Sequence, residues 1–267
     1  MAKIEDQRIL VWCNNVSNLK HTLIDAAYLA AKLEKELCLF ACFTNHKHED
    51  QYYARTKALA QTVKAEMPGI AVTSLVIEGK LQNLVSLLAQ EYNVILICFG
   101  CKMDQNILKA FYRAKFPFFF SKEHKISTKL FEKVIVPVDF RESTKNAALW
   151  GSYLGRFNNS EICLLCANDK SDSTLSSKVL QSVNSITKLY EQFKFRFSIA
   201  NGKKGSWGIH REAVKHSNAF DLLIFAGSFN VSIIDQVLGP FEKQLTNKSK
   251  IPVMLINPQK EMHVLCD

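Results

Sequence analysis

The chain has 267 residues, of which 34 are basic and 25 acidic, for a formal net charge of +9. With 48% apolar and 22% charged residues there is ample material for a core, which excludes a wholly disordered chain. Ten glycines and six prolines are too few for a collagen-like or low-complexity sequence. The positive charge is spread over both halves without a basic tail, so a solvated, mildly basic surface accounts for it.

The opening residues, Met1 to Asp6, have no apolar stretch of the kind that makes a secretory leader, and Glu5 and Asp6 sit where one would start. No apolar run is long enough to span a bilayer, so no membrane association is expected and the cytoplasm is the expected compartment. The eight cysteines (Cys13, Cys38, Cys42, Cys98, Cys101, Cys163, Cys166 and Cys266) are accordingly read as thiols and not as a disulfide framework.

Read in chain order, the elements repeat at an offset of 125 residues. Arg8–Asn14 answers Lys133–Asp139, two short apolar runs that each end in a small polar residue and read as buried strands. Ala27–Ala30 answers Ser152–Gly155 within stretches of helical spacing, and Leu37–Leu39 answers Ile162–Leu164 as a second strand. A helix follows at Gln51–Met67 and Ser173–Phe193, then a third strand at Val72–Ile77 and Phe195–Ala200. A further helix is expected at Leu81–Glu91 and Ile209–Ser217, and a fourth strand at Val94–Phe99 and Leu222–Ala226. Phe116–Phe120 and Ile251–Ile256 close the two units as last strands. Three matches at one offset argue for a duplicated unit, with residues 1–127 and 128–267 as the expected domains. Strands alternating with helices of this length imply a parallel sheet covered on both faces. In such sheets, ligands bind beyond the carboxyl ends of the strands, where the strand order reverses. That selects Asn14–Asn18 and Gly100–Lys109 in the first half, and Asp139–Ser143 and Gly227–Gly239 in the second.

Val136-Pro137-Val138-Asp139-Phe140, followed by Ser143 and Ala147-Ala148, resembles the universal stress protein family. Asp221–Ile224, the glycine-bearing segment to Gly239, and Ile251–Ile256 resemble its closing pattern. The resemblance covers residues 131–258 and, less fully, 7–120. It implies a tandem form, with two doubly wound α/β sheets of five parallel strands in the order 3-2-1-4-5, of the adenine nucleotide alpha hydrolase-like kind. Members that bind ATP or AMP carry an aspartate after strand one. After strand four they carry glycine, two residues, glycine, nine residues, then glycine with a hydroxyl residue. Asp139 matches the aspartate, and Gly227, Ser228 and Gly239 are the remaining nucleotide-site candidates. Anchored on Gly239, however, the other glycines fall on Ala226 and Phe229 and the hydroxyl on Pro240, which has neither hydroxyl nor N–H. The first half has Asn14 at the aspartate position and one glycine, Gly100, after strand four. The reading is a non-enzymatic stress-response regulatory or interaction module with no cofactor, its pocket altered. An ATP- or AMP-binding sensor is the alternative.

Three further groups of residues are candidates. Gly202, Lys203, Lys204 and Gly205, in an insertion after the third strand of the second half, could form an anion-binding loop, and otherwise a flexible solvated one. Cys13, Cys42, Cys98 and Cys101 fall at strand ends, with His46 and His48 close by, and would suit zinc or thiol sensing; buried small hydrophobes are the plainer reading. Lys102–Lys133 interleaves basic and aromatic residues, but burial explains the aromatics better than nucleic acid does. Phe116–Phe120 is expected to pair with Ile251–Ile256 across an intramolecular pseudo-twofold, with homodimerisation and an unidentified protein partner left open. No catalytic motif is present. His210 and His216 are read as residues of a solvated helix, and Asp139 has a second reading as a cap for the helix starting near Ser143.

Overall fold

The computed structural model describes residues 7–15, 17–125, 127–228 and 240–258. The chain divides into two compact units, one running to His124 and the other from Lys125 to Lys260.

The first unit contains β1 (Arg8–Trp12), α1 (Leu19–Leu33), β2 (Glu36–Phe43), α2 (Glu49–Glu66), β3 (Val72–Glu78), α3 (Leu81–Gln90), β4 (Val94–Phe99), α4 (Gln105–Arg113) and β5 (Phe118–Phe120). Its strands run parallel in the order β3-β2-β1-β4-β5. The second unit repeats the plan with β6 (Lys133–Val138), α5 (Ser143–Phe157), β7 (Glu161–Cys166), α6 (Ser173–Phe193), β8 (Phe197–Asn201), α7 (Ile209–Lys215), β9 (Leu222–Ala226), α8 (Phe241–Lys248) and β10 (Val253–Ile256). Its parallel order is β8-β7-β6-β9-β10. This is the doubly wound class and strand order that the sequence predicts.

The central strands are covered on both faces. Ile9, Leu10 and Val11 in β1, all of β4, and Val134, Ile135, Val136 and Val138 in β6 are buried, which is why they read as unbroken apolar runs rather than alternating ones. The last strand of the first unit is shorter than its aromatic run. Pro117 cannot donate to a ladder, and β5 begins only at Phe118. Among the described residues, no helix is long and apolar enough to cross a membrane.

The units differ where the first and fourth strands end. In the first, the β1–β4 ladder runs to Val11 opposite Cys98. In the second, β6 pairs with β9 only at Val134 and Ile135. Pro137, the last residue but one of β6, has no N–H to give, and the carboxyl ends of β6 and β9 are left to other partners. Those ends frame the site.

Candidate functional site

Asp139 follows the last residue of β6 and is buried. Its Oδ1 accepts the backbone N–H of Arg141 at 2.8 Å, an Asx-type turn, and the Thr144 hydroxyl at 2.8 Å. Its Oδ2 accepts from Arg141 Nε at 2.7 Å. The rest of the guanidinium spans the gap between the strands: Nη1 donates to the Gly227 carbonyl at 3.2 Å and Nη2 to the Ala226 carbonyl at 3.4 Å. Arg141 therefore satisfies carbonyls at and just beyond the end of β9 while it pairs with Asp139. In the first turn of α5 Asp139 bonds the Thr144 hydroxyl and not a backbone N–H, and the Glu142 side chain at the N-cap makes no capping bond.

His210 completes the cluster. It is not on a solvated helix face, as its spacing from His216 suggested, but is 2% exposed. Its ring meets Phe225 and Phe241 edge-on. Burial, then the Arg141 charge, lowers its pKa to about 3 against the opposing pull of Asp139. The imidazole is thus neutral near neutral pH, and its Nε2, 3.0 Å from Arg141 Nη2, accepts from the guanidinium.

The segment after β9 is occupied in the same manner. The Ser228 backbone N–H and hydroxyl donate to Glu242 Oε1 at 2.6 and 2.7 Å. Glu242 is buried in the first turn of α8, where the free N–H groups of a helix favour a negative group. A side-chain carboxylate from the chain itself thus holds both Ser228 donors. Gly227 donates its N–H to Ile256 at 2.9 Å, as the ladder continues toward β10. Gly239, the remaining nucleotide candidate, lies outside the described residues. A cleft of about 620 Å³ opens against this cluster, lined by Phe140, Arg141, Lys145, Asn146, Gly227 and Ser228 among others.

Gly202, Lys203, Lys204 and Gly205 form a loop that does bind an anion, but one belonging to the chain. The Lys203 N–H donates to both oxygens of Glu212, at 2.9 and 3.0 Å, and the Lys204 N–H donates at 2.9 Å. Asp169 takes the next N–H and the hydroxyl, both from Ser206. Two of the glycines make room for side chains here: a Cβ on Gly202 would lie 2.2 Å from Ile209 Cδ1, and one on Gly205 would lie 2.4 Å from Asp169 Oδ1, so either would have to displace that side chain. The loop is exposed at Lys203 and Lys204, but its backbone is pinned, which corrects the expectation of a flexible one.

In the first unit, Asn14 at the aspartate position uses both ends of its amide on one residue. Its Nδ2 donates to the Cys42 carbonyl at 2.5 Å, and its Oδ1 accepts the Cys42 N–H at 2.9 Å. After β4, Gly100 passes so close to the opposite loop that a Cβ would lie 2.4 Å from the Ser17 carbonyl oxygen. Asp104 then caps α4 through the Asn106 and Ile107 N–H groups.

The four thiols proposed for a metal are not brought together: among the described residues, no three histidine, cysteine or acidic side chains are placed to hold an ion. Burial pushes Cys13 up to about 12, partly offset by the Arg55 charge, and pushes Cys42 and Cys101 up to about 11 and Cys98 well above its ordinary value. These are protonated, unreactive thiols.

Sequence reasoning found Asp139 and the glycine-rich loop. It missed Arg141, His210, Glu242, Glu212 and Asp169. The two-residue spacing from Asp139 to Arg141, which suits an Asx turn, was the available signal for the first of these.

No protein-family model and no curated protein matches this chain. Its fold is found among solved structures. A universal stress protein from Archaeoglobus fulgidus DSM 4304 aligns with a TM-score of 0.68 at 14% identity, covering 97% of this chain and 100% of that one. A putative universal stress protein from Pseudomonas aeruginosa UCBPP-PA14 aligns at 0.62 and 12%, covering 95% and 93%. The cytoplasmic domain of a prokaryotic cation chloride cotransporter aligns at 0.56 and 9%, covering 97% and 98%. The chain has the universal stress protein fold.

Proposed function

We propose that this chain, built on the universal stress protein fold, is a non-enzymatic stress-response regulatory module that works by binding protein, and that the polar groups of its nucleotide site are engaged by its own side chains. The observation that carries the reading is the pairing of Asp139 with Arg141 and of Ser228 with Glu242. An adenine nucleotide entering here would have to break a buried ion pair at the base end. At the other end it would bring phosphates against a buried carboxylate, where like charges repel most strongly. No metal and no cofactor form part of the proposal. The association of the two units through their last strands, and of this chain with a second copy, belongs to it as well. The appearance of the fold in a transporter's cytoplasmic domain agrees with a scaffold whose role is set by the surfaces it presents.

The test is thermal unfolding of the full chain with ATP and with AMP at about 1 mM. A ligand present at about 100 times its Kd and bound only to the native state adds about 2.7 kcal/mol, a shift of several degrees. The expected result is no shift with either nucleotide. A rise in Tm that saturates with nucleotide concentration would overturn the reading in favour of a sensor.

A further inference from the structure

Loop 202–208 holds a large aromatic side chain in solvent. Trp207 is 78% exposed, the most open of the large apolar side chains in the described residues. An indole left in water forfeits much of the free energy it would gain on burial, yet the backbone on either side of it is fixed. The Lys203 and Lys204 N–H groups are bonded to Glu212, Ser206 is bonded to Asp169, Asn168 donates to the Lys204 carbonyl, and Gly208 donates to Gly205. The ring is braced on one side by Phe140, 5.5 Å away and edge-on. A rigid aromatic anchor with two side-chain torsions loses little entropy on being covered, which is how binding hot spots are made.

The exposed charge in this loop and the neighbouring turn is mainly positive. Lys170, Lys203 and Lys204 are exposed, and none of them takes part in an ion pair among the described residues. Two acids of the same turns, Glu212 and Asp169, are buried on backbone N–H groups of the loop, and Asp172, which is exposed, caps α6. Loop 202–208 shows to solvent an indole and the side chains of Lys203 and Lys204, with Lys170 exposed in the turn bonded to the loop through Asp169. We propose that Trp207, braced by Phe140 and flanked by Lys170, Lys203 and Lys204, is a docking site for an acidic protein segment carrying a large apolar side chain. A nucleic-acid strand suits it less well, because Phe140 meets the indole edge-on and the cations cluster in two turns rather than tracking along a groove. The inference rests on the interaction-module reading and names the surface and the partner chemistry.

The experiment is selection from a displayed library of random peptides of about 12 residues, run on the full wild-type chain and on Trp207→Ala. Synthetic versions of the enriched peptides and an oligothymidylate of similar length are then titrated against both proteins and against Lys203→Glu/Lys204→Glu. Because Trp207 is exposed, Trp207→Ala keeps the fold, which circular dichroism verifies, and the lysine double variant keeps the indole. The expected peptides combine several acids with an aromatic or large aliphatic residue. They bind wild type at least about tenfold more tightly than either variant and weaken as salt rises. Peptides that bind Trp207→Ala as well as wild type would overturn this site while leaving the interaction reading standing. An empty selection overturns the site, and an accompanying nucleotide-induced thermal shift overturns the interaction reading with it. Oligothymidylate binding through Trp207 more tightly than any peptide would overturn the partner chemistry.

Discussion

Asn14 and Asp139 stand at the same place in the two units, one residue type apart, and are committed in opposite directions. Asn14 reaches toward β2 and closes on the Cys42 backbone with a donor and an acceptor. Asp139 reaches along its own loop to Arg141 and Thr144, and through the guanidinium to the carbonyls at and just beyond the end of β9. The first arrangement needs a neutral amide, because a carboxylate cannot donate to a carbonyl. The second needs a negative charge, because it must balance a guanidinium that is largely out of water. The fourth strands differ in the same way: Gly100 packs tightly against the loop after β1, whereas Ser228 leans on Glu242. The mouth of a doubly wound sheet carries orphan strand-end groups that something must satisfy. A ligand can do this, or the chain can, and here the two units do it with different residues. The consequence is that these positions hold stability.

Asp139→Ala breaks that comparison hardest. It leaves the Arg141 guanidinium beside His210 with no counter-charge and strips Thr144 of its acceptor. Removing one partner of a buried pair costs several kcal/mol. Arg141 keeps some contact with solvent, so the expected loss is about 2–4 kcal/mol, read as a lower urea midpoint with an unchanged slope. Were Asp139 simply a ligand-binding group, its removal would leave stability nearly untouched.

A second contrast lies one helix further on. At the shared offset, unit two buries Trp150 in α5, and unit one buries Asp25 in α1. Asp25 has no accessible surface; its Oδ1 lies 3.3 Å from His124 Nε2, and Ser121 and Cys98 are close by. Burial raises its pKa to about 7, with the Ser121 hydroxyl opposing. The unfolded chain releases this proton near 3.8. Between those values the native state holds a proton that the unfolded state has lost, so stability falls as pH rises from about 4 to about 7 and levels off above. Asp25→Asn removes that contribution. Urea midpoints at pH 5 and pH 8 should show the variant near wild type at pH 5 and about 1–3 kcal/mol more stable at pH 8, less than the full linkage value because a buried amide also lacks partners. Parallel pH profiles for the two proteins would refute this.

Some of this was legible in the sequence, and the reason varies by element. The fourth strands Val94–Phe99 and Leu222–Ala226 are found to the residue because a doubly covered strand must be apolar throughout. The helix Ser173–Phe193 is found because a long amphipathic repeat is hard to mistake, and Asp172 caps its start. The last strands are shorter than read: in Phe116–Phe120 aromatic density marks burial and not pairing, and in Ile251–Ile256 the strand begins only after Pro252, which has no N–H to give. At the site, Asp139 is visible as an acid that ends an apolar run. Its occupation is not visible, because Arg141 bonds a carbonyl 86 residues further along the chain, and such a meeting exists only once the sheet is assembled. His210 was misread for a related reason. In a seven-residue helix, spacing says little about which side is covered, and α7 buries Ile209, His210, Glu212 and Ala213.

Asn14→Asp sharpens the comparison most directly, by giving the first unit the second unit's residue without its arginine. The carboxylate keeps an acceptor for the Cys42 N–H, but its other oxygen comes to rest against the Cys42 carbonyl, where a donor had been 2.5 Å away. Two oxygens cannot stay that close, so one strand end must shift or admit water. The site is only partly buried, which limits the cost to about 1–2 kcal/mol. The new carboxyl faces an acceptor at the Cys42 carbonyl, so its proton is held more tightly in the native state than in the unfolded one. Once protonated it can donate again. The deficit relative to wild type should therefore be largest at neutral pH and shrink as pH falls through the ordinary carboxylate range. Urea midpoints of the two proteins between pH 4 and pH 7 measure this. A deficit that grows toward low pH would mean the carboxylate had found a cation, and that the clamp on β2 is not what holds this residue type in place.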